Sequence, residues 1–125
     1  KPFDGVVDRV QVVRYPAGGG ELRRHTDPTK NPRVIIGVIM SKRGVDYRSG
    51  GFYFIGEDGS EIDFEDMLDV GDMVCSYGTV EHGVTIVDPE APLGWQSKAG
   101  RWFLGLYSND SDHVRDRATT KRVAE

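Results

Sequence analysis

The chain has 125 residues and a net charge of −4, the size of one globular domain with a single core. The acidic balance argues against a nucleic-acid partner, because binding to phosphates requires a basic face. No apolar run approaches the roughly 20 residues of a membrane span, and no charged-then-apolar leader opens the chain. The single Cys75 excludes an internal disulfide and indicates a reducing compartment. We therefore expect a soluble, intracellular protein of the cytoplasm with no nucleic-acid or membrane partner.

Strands separated by turn signals follow one another along the chain, and helical periodicity is almost absent. Residues 8–15 alternate apolar and polar side chains and stop at Pro16 and a glycine run. Residues 34–41 are apolar and β-branched, which predicts a central strand buried on both faces. Residues 65–69 are predicted to form a turn, since the segment is short and lacks a helix cap. The other predicted strands are 21–27, 52–55, 61–64, 73–77, 82–87 and 102–108.

Eight short strands predict an all-β domain, a jelly roll of the cupin-like, double-stranded β-helix type. This core is assigned to residues 1–109. Residues 110–125 are rich in charge and are interpreted as a C-terminal tail that is either a short helix or disordered.

A candidate metal-binding group stands out among the predicted strands. His25 and Asp27 lie two residues apart on the second strand, so their side chains leave the same face. His82 opens a later strand, and the chain between is long enough to return beside its start. Two imidazoles and one carboxylate are the ligand set of non-haem Fe(II) oxygenases and leave coordination positions open, whereas a structural zinc site is closed by four protein ligands. The alternative for His82 is a histidine buried in the core.

The chain resembles a known enzyme family in several motifs. The segment 15–28, with its Tyr-Pro pair, its glycines and its His-x-Asp, resembles the iron-binding stretch of the prolyl hydroxylase branch of the Fe(II)/2-oxoglutarate-dependent dioxygenases. One departure is Ile39, which stands where the hypoxia-sensing members have a tyrosine against the far carboxylate of 2-oxoglutarate. Another is the long spacing from His82 to Arg101, which residues 88–94 explain as an inserted loop. Further matches follow in order at Ser49-Gly50-Gly51, Gly71-Asp72 and Gly100-Arg101-Trp102.

The resemblance implies a hydroxylase acting on an unactivated carbon, with succinate and CO2 as coproducts. It implies Fe(II), 2-oxoglutarate and O2 as cofactor and cosubstrates, and ascorbate is a candidate additional cofactor. The implied metal ligands are His25, Asp27 and His82, and Arg101 is the implied cation for the far carboxylate of 2-oxoglutarate. The substrate is either a peptidyl side chain or a small amino-acid-like molecule, and the sequence does not choose between them.

Strand alternation suggests how the cosubstrate is held. Arg101, Phe103, Gly105 and Tyr107 share one face of the last strand, where the absent side chain of Gly105 is expected to leave room for 2-oxoglutarate. Arg101 can offer a bidentate pair to a carboxylate. Tyr15 is predicted to donate its hydroxyl toward the chelated cosubstrate. The alternatives are an exposed strand-end arginine and a core tyrosine.

Other functions and partners stay open. A cupin-type metal enzyme would keep the histidines without using 2-oxoglutarate, and a non-catalytic jelly-roll binding module would need none of the three ligands. Members of the resembling family usually carry N-terminal helices over one sheet, and nothing before residue 3 supplies them. We expect a missing N-terminal segment, a second chain or a dimer partner to cover that face, because a bare barrel would expose it. The predicted substrate residues at the rim are Arg24, Tyr53, Tyr77, Glu81 and Trp95.

Overall fold

The computed structural model describes residues 6–27, 34–110 and 121–122, and in that part the chain is almost entirely β. One single-turn 3-10 helix, Glu65–Met67, interrupts the strands. The strands are β1 (Val6–Pro16), β2 (Leu22–Thr26), β3 (Val34–Ile39), β4 (Gly51–Ile55), β5 (Glu61–Asp63), β6 (Met73–Tyr77), β7 (His82–Thr85), β8 (Gly100–Asp110) and β9 (Lys121–Arg122).

The strands form two antiparallel sheets whose inner faces pack together. The four-stranded sheet has the order β1-β8-β3-β6, and the five-stranded sheet has the order β5-β4-β7-β2-β9. Tyr15, Val13 and Phe103 from the first sheet pack with Val84 and Phe52 from the second. The core therefore lies between the sheets, and side chains on the two inner faces can form one site.

The eight predicted strands are all present, and their ends differ from the prediction by no more than two residues. Three findings differ from the sequence analysis. Residues 121–122, within the predicted tail, form β9, which pairs with β2 beside His25 and Thr26. The predicted turn at 65–69 contains the 3-10 helix. β3 is an inner strand, but residues 35–38 are only half-buried, because no described residue covers the outer side of its sheet. The rest of the predicted tail lies outside the described residues.

The outer side of the four-stranded sheet is an exposed apolar surface. Strand register places Val10 beside Leu106, Leu106 beside Ile36, and Ile36 beside Cys75, so one apolar row crosses all four strands. Val10 is 66% exposed. An exposed face of this kind was predicted from the sequence, and we call it the outer apolar face. Its other exposed members are Val12, Val34, Met73 and Tyr77.

The long loop between β7 and β8 rests on the turn that follows β1. The Gly18 amide donates to the Val87 carbonyl at 2.9 Å, and the Gly94 amide donates to the Ala17 carbonyl at 3.1 Å. Gly18 has a φ of +87° and touches the loop backbone, so only glycine fits there. The loop thus joins the end of β1 to the start of β8, where Arg101 lies. No helix in the described part of the chain has the length and apolar character needed to cross a membrane.

Candidate metal centre

Three predicted ligand side chains converge on the inner face of the five-stranded sheet. His25 on β2 lies directly opposite His82 on β7, and their ring centroids are 4.3 Å apart. His25 Nε2 lies 3.7 Å from one Asp27 carboxylate oxygen, and His82 Nε2 lies 3.4 Å from the other. The Asp27 amide donates to the Gly78 carbonyl at 2.8 Å, which fixes the chain just after β2.

These separations suit ligands that share a single ion. Bonds from protein nitrogen and oxygen to metals such as zinc are about 2.0–2.2 Å long. The two nitrogen-to-oxygen distances of 3.7 and 3.4 Å are shorter than two such bonds, and one potential ligand atom from each side chain lies within 4.8 Å of the others. The donor set and its spacing therefore fit one divalent cation, and three protein ligands leave positions open on an octahedral ion.

Each imidazole is held in the tautomer that a metal ligand needs. Nδ1 of His25 lies 2.8 Å from the Arg23 carbonyl oxygen, and Nδ1 of His82 lies 2.8 Å from the Val80 carbonyl oxygen. A carbonyl oxygen can only accept, so Nδ1 carries the proton in both rings. In the neutral rings Nε2 is then free to bind a cation, and the backbone contact orients it.

The two imidazoles differ in their affinity for a proton. Burial lowers the pKa of His25, with a contribution from neighbouring His82, against the opposing effects of the Arg23 carbonyl and Asp27. Burial would also lower the pKa of His82, but its hydrogen bonds to Asp27 and the Val80 carbonyl and the Asp27 charge together raise it. A cation at this group must therefore compete with a proton on His82.

Two tyrosines from the four-stranded sheet face the metal-binding group. Tyr15 lies opposite Arg101 in the β1–β8 register and stacks on Phe103 with ring centroids 6.0 Å apart. Burial raises the pKa of Tyr15 to about 12, with Arg101 acting against the rise and Asp27 adding to it. Burial and the Asp27 charge raise the pKa of Tyr107 to about 12. Both hydroxyls therefore stay protonated at neutral pH and can donate a hydrogen bond.

The space above Gly105 is filled rather than open. A side chain at position 105 would overlap the ring of Tyr107, which folds back over this glycine. The expected room for the cosubstrate at Gly105 was therefore wrong in this structure, because a neighbouring aromatic ring occupies it. Ile39, the departure from the family pattern, is buried opposite Phe103 and brings no hydroxyl to this face.

Arg101 is buried at the other end of the same face, at 3% exposure. Its Nε donates to Glu65 Oε1 at 2.5 Å, and Glu65 is also 3% exposed. The guanidinium carbon lies 5.7 Å from the ring centroids of both Phe52 and Phe103. Within the described part of the chain, Nη1 and Nη2 of Arg101 make no hydrogen bond. The alternative of an exposed strand-end arginine is thereby excluded.

One aromatic ring, that of Phe52, lies beside both Arg101 and the metal-binding group formed by His25, Asp27 and His82. The Phe52 ring lies 5.8 Å from the His82 ring, centroid to centroid, and also lies against the Arg101 guanidinium. Tyr15 experiences the charges of both Arg101 and Asp27. The two charged ends of the site therefore border one space between the sheets.

Three predicted substrate residues lie on the opposite side of the five-stranded sheet. Arg24 is the sequence neighbour of inward-facing His25 and pairs with Glu81 on the outer side. The Tyr53 hydroxyl lies over Gly83, the neighbour of His82. Strand alternation therefore points these three side chains away from the metal-binding group.

The other two predicted substrate residues are also remote from the ligand side chains. Tyr77 is 66% exposed and belongs to the outer apolar face. Trp95 is 69% exposed, and its carbonyl accepts a hydrogen bond from Arg14 Nη2 at 2.6 Å. The structure does not bring either side chain to the metal-binding group.

Two site residues were not identified from the sequence, and a third, Tyr107, was placed on the Arg101 face by strand alternation but was given no role. Glu65 and Tyr47 had no such signal, since their contacts with each other and with Arg101 join distant parts of the chain. Comparisons of the chain with protein-family models, with curated proteins and with solved structures found no match.

Proposed function

We propose that this chain is an Fe(II)- and 2-oxoglutarate-dependent dioxygenase that hydroxylates an unactivated carbon of a small amino-acid-like molecule or a peptidyl side chain. The observation that carries the proposal is a His-Asp-His group facing the same space as a buried arginine, two of whose nitrogens make no hydrogen bond within the described residues. His25, Asp27 and His82 form that group, and Arg101 supplies the donors.

The strand pairing supports a jelly roll, the fold expected for such an enzyme. β1 pairs with β8, β2 with β7, β3 with β6 and β4 with β5. This is the pairing obtained when one long antiparallel hairpin of eight strands is wound into two sheets. We therefore propose a double-stranded β-helix whose inner faces hold the site.

His25, Asp27 and His82 would hold Fe(II) through two Nε2 atoms and one carboxylate oxygen. Bound iron would supply the activation of dioxygen that no protein side chain provides. The protein orients both imidazoles through Nδ1 and limits access of water, since His25 and His82 are 5% and 6% exposed. Asp27 is less buried, so the opening for substrate lies on its side of the group.

Arg101 would bind the far carboxylate of 2-oxoglutarate through Nη1 and Nη2. A buried donor without an acceptor costs about 1–3 kcal/mol, and more when it is charged, so an anionic ligand would relieve this cost. A planar guanidinium matches a carboxylate with two parallel hydrogen bonds. Tyr15, which experiences the charges of both Arg101 and Asp27, would donate its protonated hydroxyl to the middle of the same ligand.

An anaerobic titration tests this function. Fe(II) followed by 2-oxoglutarate should produce the weak visible charge-transfer band of the chelate, and air should then convert 2-oxoglutarate to succinate. The absence of the band at saturating Fe(II) would overturn the proposal. Metal binding without any response to 2-oxoglutarate would favour a cupin-type metal enzyme, and no metal binding at all would favour a binding module.

A further inference from the structure

We propose that Glu65, held in place by Tyr47, is a positioning residue that fixes Arg101 so that the site selects 2-oxo dicarboxylates over 2-oxo monocarboxylates. This inference rests on the proposed function and extends it to two residues outside the ligand set. Neither residue would touch the cosubstrate.

Within the described part of the chain, three protein donors bind the Glu65 carboxylate. Oε1 accepts from Arg101 Nε at 2.5 Å and from the Phe52 amide at 2.8 Å. Oε2 accepts from the Tyr47 hydroxyl. Tyr47 is 3% exposed, so the hydroxyl is buried with the carboxylate. A buried carboxylate with three donors is fixed in position and charge-compensated.

The backbone around Glu65 is shaped to admit this side chain. Its own amide donates to Asp63 Oδ1 at 2.9 Å, which holds the start of the 3-10 helix. The Glu65 side chain passes directly over Gly51, where a Cβ would overlap it. Gly51 has a φ of +148°, a conformation that favours glycine. The carboxylate therefore reaches Arg101 through a gap that the glycine leaves open.

The contact with Nε decides which edge of the guanidinium is free. A guanidinium can bind a carboxylate side-on, through Nε and one Nη, or end-on, through Nη1 and Nη2. Glu65 occupies Nε, so only the end-on edge remains for a ligand. The Phe52 and Phe103 rings, each 5.7 Å from the guanidinium carbon, limit rotation of the group. The Arg101 guanidinium is thus held in one orientation, ready to bind one carboxylate through Nη1 and Nη2.

The experiment compares two ligands in the anaerobic Fe(II) titration of the full chain. 2-Oxoglutarate and 2-oxopentanoate share chain length and chelating end, but only the first has a far carboxylate. The ratio of their dissociation constants measures the Arg101 contact alone. A desolvated charge pair predicts a ratio of about 30 or more for the unchanged chain.

Glu65→Leu should reduce this ratio to within about threefold of unity, because the Arg101 guanidinium is no longer held in the orientation that binds the far carboxylate. The affinities for Fe(II) and for 2-oxopentanoate should stay unchanged. Glu65→Gln should restore the ratio to within about threefold of the unchanged chain, since the amide oxygen still accepts from Nε and from the Phe52 amide. Asp66→Ala is the matched control, because Asp66 is adjacent but pairs with Arg43 on the surface. It should leave the ratio unchanged.

The outcomes separate this inference from the proposed function. No chelate band with either ligand in the unchanged chain would overturn both. A normal band with an unchanged ratio in Glu65→Leu would overturn the inference alone, as would a Glu65→Gln ratio as low as that of Glu65→Leu. If Glu65→Leu no longer binds Fe(II), the ratio is measured in Tyr47→Phe instead. This variant removes the hydroxyl that donates to the Glu65 carboxylate and keeps the aromatic ring. A ratio lowered about threefold in that variant supports the inference, and an unchanged ratio overturns it.

Discussion

Arg24 and His25 are neighbours on β2 and point to opposite sides of the sheet. A test of the metal-binding group can therefore compare a substitution on its own side with one on the other side. Asp27→Ala should weaken binding of Fe(II) by more than about 100-fold, since loss of an outer-shell partner alone typically costs 10–100-fold. Arg24→Ala is the control, because Arg24 faces the other side of the sheet and pairs with Glu81. Calorimetric titration with Fe(II) measures both affinities. Equal affinity for Asp27→Ala and the unchanged chain would contradict the assigned ligand set.

Substitutions of Arg101 test the predicted binding of 2-oxoglutarate. Arg101→Ala should weaken 2-oxoglutarate binding by about 2–5 kcal/mol and leave Fe(II) binding nearly intact. Arg101→Lys should recover part of the affinity, because the charge survives and the planar fork does not. Removing the arginine also leaves Glu65 buried without its cation, so Arg101→Ala should lower stability by about 3–5 kcal/mol. Chelate formation and urea unfolding measure the two effects. Unchanged dependence on 2-oxoglutarate would make the cosubstrate assignment wrong.

At the scale of the strand, two facing glycines on β8 and β3 have different surroundings. Gly105 pairs with Gly37, and both sit on the inner face. A side chain at 105 would overlap Tyr107, whereas one at 37 would meet only Phe103 at 3.7 Å. Gly105→Ala should therefore destabilise the protein by about 1–3 kcal/mol, the usual cost of overpacking. Gly37→Ala is the control and should have a smaller effect in thermal unfolding. Equal effects would show that Tyr107 moves away freely.

The sequence predicts a strand well where its side chains form a pattern and poorly where only the backbone pairs. β1 was predicted from its alternating apolar and polar side chains, and β3 from its run of apolar, β-branched residues. β9 has two residues and pairs through its backbone with β2, so it leaves no pattern to detect. His25 and Asp27 were found because their spacing is local. The contact of Glu65 with Arg101 was not predicted, since it joins the 3-10 helix, which packs on β4, to the start of β8, 36 residues further along the chain.

At the scale of the whole molecule, the outer apolar face is an exposed row of apolar side chains that crosses all four strands of one sheet. We propose that another segment or chain covers it. The paired substitution Val12→Lys and Met73→Lys should then reduce binding of an apolar dye and reduce self-association, because both side chains are exposed on this face. Fe(II) affinity should not change, since the metal-binding group lies on the other sheet. Val45→Lys is the control, because Val45 is 77% exposed in a turn away from the strands. If the chain is a monomer and binds no apolar dye, the proposal that this face takes up another segment or chain is wrong.

The division of the site between two sheets has a thermodynamic consequence. The proposed metal ligands His25 and His82 belong to the five-stranded sheet and Asp27 follows its strand β2, whereas Arg101 belongs to the four-stranded sheet. An ion would therefore reinforce one layer, and a 2-oxo dicarboxylate gripped at both ends would tie the two layers together. The free energy of binding this ligand would then oppose separation of the two sheets, because the ligand is bound at both ends only while the sheets are packed together. Amide hydrogen exchange should slow in β1 and β8 only when both ligands are present. On the proposed function, the cosubstrate would thus act as a removable cross-link, and the protein would be most rigid when both ligands are bound.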